Sequence, residues 1–199
     1  EREIAISKLK LLIGKDIRQM APEYEVTIWK DGKKNKGWFG HVIERYLGLP
    51  INSAQSPNFG SWELKTVPLK ILKSGEITIK ETMAITMIDE FNVKNTPFEE
   101  SHLLSKLKKA VICTRLFEDK EETTAIFKNV ITFDLAEQSL YNAIKADYEL
   151  VQEVLKTNSF SKLTGKMGVL IQPRTKGAGH GSQSRAFYAR SKFLKTILL

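Results

Sequence analysis

The alternation of apolar and polar positions divides this chain into helices and strands in a mixed order. Leu9, Leu12, Ile13, Ile17 and Met20 recur at helical spacing, which predicts a helix over residues 4–20. Residues 25–29 alternate as a short strand, and KDGKKNKG, residues 30–37, reads as a basic, glycine-punctuated loop. A second helix is predicted over 38–47, stopped by Gly48 with Pro50 just beyond. Residues 62–69 read as a strand in which Pro68 is expected to end regular pairing. After a turn at KSG, residues 76–80 alternate into a returning strand. Residues 109–117 and 124–135 are β-rich runs on either side of the acidic turn EDKEE, suggesting a long hairpin. The longest helical pattern covers 136–156. Residues 166–172 and 185–189 read as short strands flanking a glycine-rich loop, and a helix begins at Ser191. This order predicts an α/β fold with a mixed central sheet, not a doubly wound parallel one.

Composition narrows the classes. At 199 residues and 42% hydrophobic, the chain can bury a substantial core as one large domain or two intimately packed lobes. Lysine and arginine total 31 against 23 acids, a formal charge of +8 that favours a polyanionic partner, nucleic acid or an anionic membrane. No run approaches the ~18 apolar residues of a membrane span, and the first residues carry no signal-peptide core. The basic residues are dispersed over loops and not along one amphipathic helix, which disfavours a membrane surface. A single cysteine, Cys113, excludes an internal disulfide and a cysteine-cluster zinc site, and fits a reducing cytoplasm.

Candidate chemistry centres on SPNFGSWELKT, Ser56 to Thr66. Strand residues i and i+2 share a face, so Glu63 and Lys65 project together while Trp62 and Leu64 turn into packing. A carboxylate beside an ammonium on a strand suits metal-dependent phosphodiester hydrolysis: the carboxylate holds a hard cation, and the lysine orients water or offsets developing negative charge. The bland alternative is an exposed cross-strand charge pair. Glu44, on the helix GWFGHVIERYLG, offers a second carboxylate; its bland alternative is a solvated residue paired with Arg45 or His41. Lys106, Lys108 and Lys109 form a basic run that either meets phosphate or is a solvated face. His41, His102 and His180 have no metal-ligand spacing. Cys113, within AVICTRLF, reads as packed core, as do Trp38 and Phe39. The nucleotide-binding motif GxxxxGK[ST] is absent.

GWFGHVIERYLG followed by WELKTVPL resembles the MutH mismatch-repair endonuclease family and its restriction-enzyme relatives that cut GATC, within the PD-(D/E)XK nucleases. The resemblance continues in SHLLSKLKKAV, LIQPRTKGAG and RAFYARSKFLKTIL, so five ordered blocks span residues 37–198. It implies a restriction-endonuclease-like fold, a mixed sheet flanked by helices, in one nuclease domain. A catalytic lobe over about residues 20–135 and a recognition lobe including about 166–198 would flank double-stranded DNA. It implies that Glu63 ligates Mg²⁺, that Lys65 positions or activates water, that Glu44 supports the metal site and that Lys106 is an additional active-site lysine. Arg174 and Lys176 match the family's DNA-reading loop. Tyr188 and Lys192 match a nearby element that contacts DNA and, in the repair branch, senses methylation.

One position departs from the family. An aspartate there supplies the bridging metal ligand, and the aligned residue here is Asn58, with no acid between Glu44 and Glu63 to replace it. An asparagine carbonyl brings no charge, so weaker metal binding and severely reduced hydrolysis are expected. The position reads either as an engineered Asp→Asn change, which the preserved Glu44, Glu63, Lys65 and Lys106 favour, or as a natural pseudo-nuclease. Three functions follow: a Mg²⁺-dependent restriction-type endonuclease at a GATC-like site, a repair-type nickase of hemimethylated DNA with a MutL-type partner, and a catalytically dead DNA-binding module. PLKILKSGEITIKE and RAFYARSKF favour the first.

Overall fold

A computed structural model describes residues 1–49, 60–177 and 183–199. In chain order the elements are α1 (Arg2–Lys10), α2 (Ile17–Met20), β1 (Trp29–Lys30), β2 (Lys33–Lys34), α3 (Trp38–Tyr46), β3 (Glu63–Ile71), β4 (Ile77–Ile79) and β5 (Met83–Met87). There follow α4 (Glu90–Asn95), α5 (His102–Leu107), β6 (Lys109–Leu116), β7 (Phe127–Asp134), α6 (Gln138–Thr157), β8 (Ile171–Thr175), β9 (Arg185–Ala189) and α7 (Ser191–Leu198). A four-stranded sheet has the order β4-β3-β6-β7, a three-stranded sheet the order β5-β9-β8, and β1 and β2 form a small hairpin. The expected mixed α/β class is therefore met. Contacts divide the chain into two compact units. One takes in the described residues of Glu1–Ala54 with Leu64–Glu81 and Val111–Thr132; the other takes in those of Gln55–Glu63 with Thr82–Ala110 and Phe133–Leu199.

In the first unit the predicted helix over 4–20 is two helices. Gly14 turns the chain at φ +83°, and its N–H donates to the Phe127 carbonyl at 2.9 Å while the Phe127 N–H donates to Lys15 at 2.9 Å. Asp16 then caps α2 by accepting from Arg18 N–H at 3.0 Å and also accepts from Ala125 N–H at 2.8 Å. Pairing with the segment leading into β7 thus overrides helical propagation. Of the five periodic apolar positions Leu9, Leu12 and Ile17 are fully buried, Met20 is half-buried and Ile13 is exposed. The strand expected over 25–29 is displaced to β1, which turns through Asp31 and Gly32, both at positive φ, into β2. Such a turn matches the twist of a two-residue hairpin. Pro68 does not end β3. It lacks only a donor, and its carbonyl still accepts from Lys80 N–H at 3.0 Å. Trp38 and Phe39 anchor the core as expected, with Phe39 stacked on Phe127.

In the second unit, α6 buries Ile144, Asp147, Tyr148, Val151 and Leu155 along one face. Its Tyr148 hydroxyl and Gln152 amide donate to the Thr96 carbonyl at 2.8 and 2.9 Å, which fixes the segment following α4. Tyr148 also packs between Phe98 and Phe187. The strand expected over 166–172 begins only at Ile171. Asp147 explains the shift: its carboxylate accepts from the N–H groups of Val169, Leu170 and Ile171 at 2.7, 2.7 and 2.8 Å, holding that stretch as a loop. Gly168 makes the turn possible at φ +77°, and a Cβ there would lie 1.8 Å from the Ile171 carbonyl oxygen.

Gly168→Ala should therefore cost at least ~2 kcal/mol, combining left-handed backbone strain with the clash. Asp147→Ala should cost about 3 kcal/mol by stranding three backbone donors. Denaturant unfolding of both variants, read beside the parent, checks these values; a change below the error of the parent midpoint contradicts them.

Candidate functional site

Glu63 opens β3, and Lys65 follows two positions later on the same strand. Glu63 is 1% exposed, so its carboxylate is out of bulk water, whereas Lys65 is half-buried. The exposed charge pair considered from the sequence is therefore excluded for Glu63. A buried carboxylate needs a donor. Lys106 supplies one: its Nζ donates to Glu63 Oε1 at 3.1 Å, and the lysine is itself 8% exposed. The basic run at 106–109 is thus divided by burial, with Lys106 inside and Lys108 and Lys109 exposed. Lys106 reaches this place because α5 is short and well capped. Ser101 Oγ accepts from Leu104 N–H at 3.1 Å at its start, and β6 begins two residues after its end.

Glu44 lies half-buried in the last turns of α3. Arg45, one of the partners that the bland alternative gave it, turns instead to the Tyr24 and Glu25 carbonyls at 2.6 and 3.1 Å and to the Glu25 carboxylate at 3.7 Å. His41 is held by Asn35, whose Nδ2 lies 3.3 Å from its Nδ1. Burial, with a smaller push from Arg45, lowers its pKa and favours the neutral ring. Among the described residues no group of three His, Cys, Asp or Glu side chains could hold a metal ion. Asn58 and His180 lie outside the described residues.

The second group of candidates gathers on β8 and β9. These strands pair antiparallel with Arg174 opposite Ala186 and Gln172 opposite Tyr188, so Arg174 and Tyr188 are diagonal neighbours. The Arg174 guanidinium sits 5.6 Å from the Tyr188 ring centroid. Lys176 is exposed just beyond β8, and its N–H donates to the Ser184 carbonyl at 2.9 Å, prolonging the ladder. Lys192 is exposed in the first turn of α7. The geometry therefore yields two clusters, Glu63 with Lys106 and Arg174 with Tyr188.

Sequence reasoning missed the buried charge of Glu122. Glu122, the last residue of the acidic turn, is 2% exposed and at φ +48°. It accepts from Trp38 Nε1 at 2.5 Å and Arg115 Nη2 at 2.8 Å, and pairs with Lys34 Nζ at 2.9 Å. One carboxylate so ties the start of α3, which carries Glu44, to β6 and to the β1–β2 hairpin. A run of acids gives no sign of which member is buried.

Against known proteins, residues 47–147 match the model of the family described as DNA mismatch repair enzyme MutH, about half the chain. The chain belongs to the MutH family. The matched stretch contains Asn58, Glu63, Lys65 and Lys106; Glu44 precedes it and the Arg174 cluster follows it. Relatives extend the similarity in both directions. The DNA mismatch repair protein MutH of Vibrio cholerae is 25% identical over 197 residues, covering 96% of this chain and 86% of that protein. MutH of Shewanella is 27% identical over 215 residues, covering 97% and 92%. The type II restriction enzyme Sau3AI of Staphylococcus aureus is 27% identical over 183 residues, covering 83% of this chain. The chain spans only 37% of that relative's length. MutH family membership and the mixed α/β make-up agree with the restriction-endonuclease-like fold expected from sequence.

Burial alone would raise the Glu122 pKa, but the bonds from Lys34, Trp38 and Arg115 outweigh it and hold the carboxyl below its usual 4.5. A depressed native pKa contributes stability that is full above the unfolded value and is lost as pH falls through the native one. Glu122→Gln should therefore cost about 3–5 kcal/mol at pH 7, with the gap to the parent narrowing below about pH 4.5. Thermal unfolding of both proteins from pH 7 to pH 3 checks this; a gap independent of pH contradicts it.

Proposed function

We propose that this chain is a Mg²⁺-dependent, sequence-specific DNA endonuclease of restriction type, acting on double-stranded DNA at a GATC-like site in the cytoplasm. The observation carrying this reading is the buried Glu63 carboxylate held by Lys106 at the head of the strand bearing Lys65, in a member of the MutH family. The net charge of +8 and the likeness to a type II restriction enzyme support it. Among the described residues no helix is long and apolar enough to cross a membrane.

Glu63 would hold the ion through a carboxylate oxygen, with Asn58 contributing an uncharged one and Glu44 supporting the site. Mg²⁺ keeps several waters and takes one or two carboxylates plus substrate phosphates, so this donor set fits the ion, though weakly. When bound, the ion supplies Lewis-acid polarisation of the scissile phosphate. Lys65 orients the attacking water and offsets charge growing on the phosphate oxygens. Lys106 holds the Glu63 carboxylate in place through a buried, charge-assisted hydrogen bond. Arg174 and Lys176 donate to base edges or phosphates, and glycines beside them let the backbone approach a groove. Tyr188 and Lys192 contact DNA beside them.

A second reading, a repair-type nickase of hemimethylated DNA with a MutL-type partner, draws on the matched family's description as a mismatch repair enzyme. Preference for hemimethylated over unmethylated duplex would select it. Asn58 also leaves open a binding module without cleavage.

Asn58→Asp should raise Mg²⁺-dependent cleavage of unmethylated plasmid by at least about 100-fold, since it restores a charged ligand. Discrete fragments or nicks from the variant, resolved on a gel, are the expected result. If both proteins retard DNA and neither cuts it, the catalytic reading fails and the binding module stands.

A further inference from the structure

Arg174 is exposed, yet its side chain is constrained on several sides. Its Nη1 donates to Thr82 Oγ1 at 2.8 Å, across 92 residues of sequence. Its guanidinium lies over the Tyr188 ring at 5.6 Å. Gly165 closes a third side: a Cβ at that position would sit 3.4 Å from Arg174 Cγ and 3.9 Å from Cδ. Gly165 is in turn fixed, because its carbonyl accepts from Arg190 Nη2 at 2.9 Å, and Arg190 also donates to the Met167 and Gly168 carbonyls. Thr82 is half-buried immediately before β5, the strand that pairs with β9, so both ends of the Thr82–Arg174 bond rest on one three-stranded sheet.

A long, exposed arginine ordinarily samples many rotamers, and that freedom must be lost when it binds in a fixed geometry. Reading a guanine through O6 and N7 requires two parallel N–H donors in one plane. An acceptor on one nitrogen and the Tyr188 ring 5.6 Å away restrict the guanidinium before any ligand arrives. We infer that Thr82 is a positioning residue for Arg174: its hydroxyl, together with the Tyr188 ring and the bare face of Gly165, pre-orients the guanidinium for two-pronged recognition of a base edge. This rests on the DNA-binding reading above and adds to it a residue outside the DNA-reading loop.

The test uses the full chain and the duplex it selects from a random-sequence pool, compared with a scrambled duplex at one fixed salt concentration without metal. Arg174→Ala should lower discrimination between the two by about 10- to 100-fold. Thr82→Val, which keeps shape and removes the acceptor, should lower it by about three- to tenfold while scrambled-duplex affinity stays at the parent's value. Thr82→Ser, which keeps the acceptor, should restore parental discrimination. A second readout needs no DNA: the Arg174 Nε–Hε resonance should be sharp in the parent and in Thr82→Ser, and broadened in Thr82→Val.

Full discrimination in Thr82→Val beside its loss in Arg174→Ala would overturn the inference and leave the DNA-binding reading standing. Equal losses in the valine and serine variants would also overturn it, since the hydroxyl would then not be the agent. If the parent selects no sequence, the DNA-binding reading itself falls and carries this inference with it.

Discussion

A carboxylate taken out of water must be met by donors, and in this protein such meetings hold distant segments of the chain together. Glu63 and Lys106 are 43 residues apart and joined at 3.1 Å with both side chains nearly buried. Removing either partner would break a buried, charge-assisted hydrogen bond. A carboxylate held in place suits the cation that Glu63 is proposed to bind.

The same rule operates twice more. Glu122 gathers Trp38, Arg115 and Lys34, and so fixes the beginning of α3. Asp147, on the long helix α6, gathers three backbone donors and sets where β8 begins. Glu122 thereby supports the helix that carries Glu44, and Asp147 supports the strand that carries Arg174. Stiff supports and exposed tips suit recognition of a polyanion, since basic groups held in place lose less entropy when they bind.

Much of this was legible along the chain. Apolar periodicity marked α3, α6 and α7, as well as buried positions in a stretch whose helix proved to be two, because burial of an apolar face follows from spacing alone. Period-two alternation placed Glu63 and Lys65 on one strand, and the ordered blocks around them identified the family. The net charge favoured a polyanionic partner. These are properties that neighbours in sequence determine among themselves.

Only the tertiary structure decided which charges went inside. Lys106 and Lys108 are both lysines of one short run, and a helix end facing Glu63 buries the first while the second stays in water. Glu122 is one of four acids in a turn, and three donors from elsewhere single it out. Gly14 and Asp16 broke a helix that periodicity favoured, because pairing with residues 125–127 satisfied their backbone better. Thr82 gave no sign of its place beside Arg174, 92 residues away, for β5 and β8 are brought together by pairing on either side of β9. In each case the deciding partner is remote in sequence. Local pattern records which residues prefer to be buried, and a buried polar group goes where the folded chain supplies a donor or acceptor.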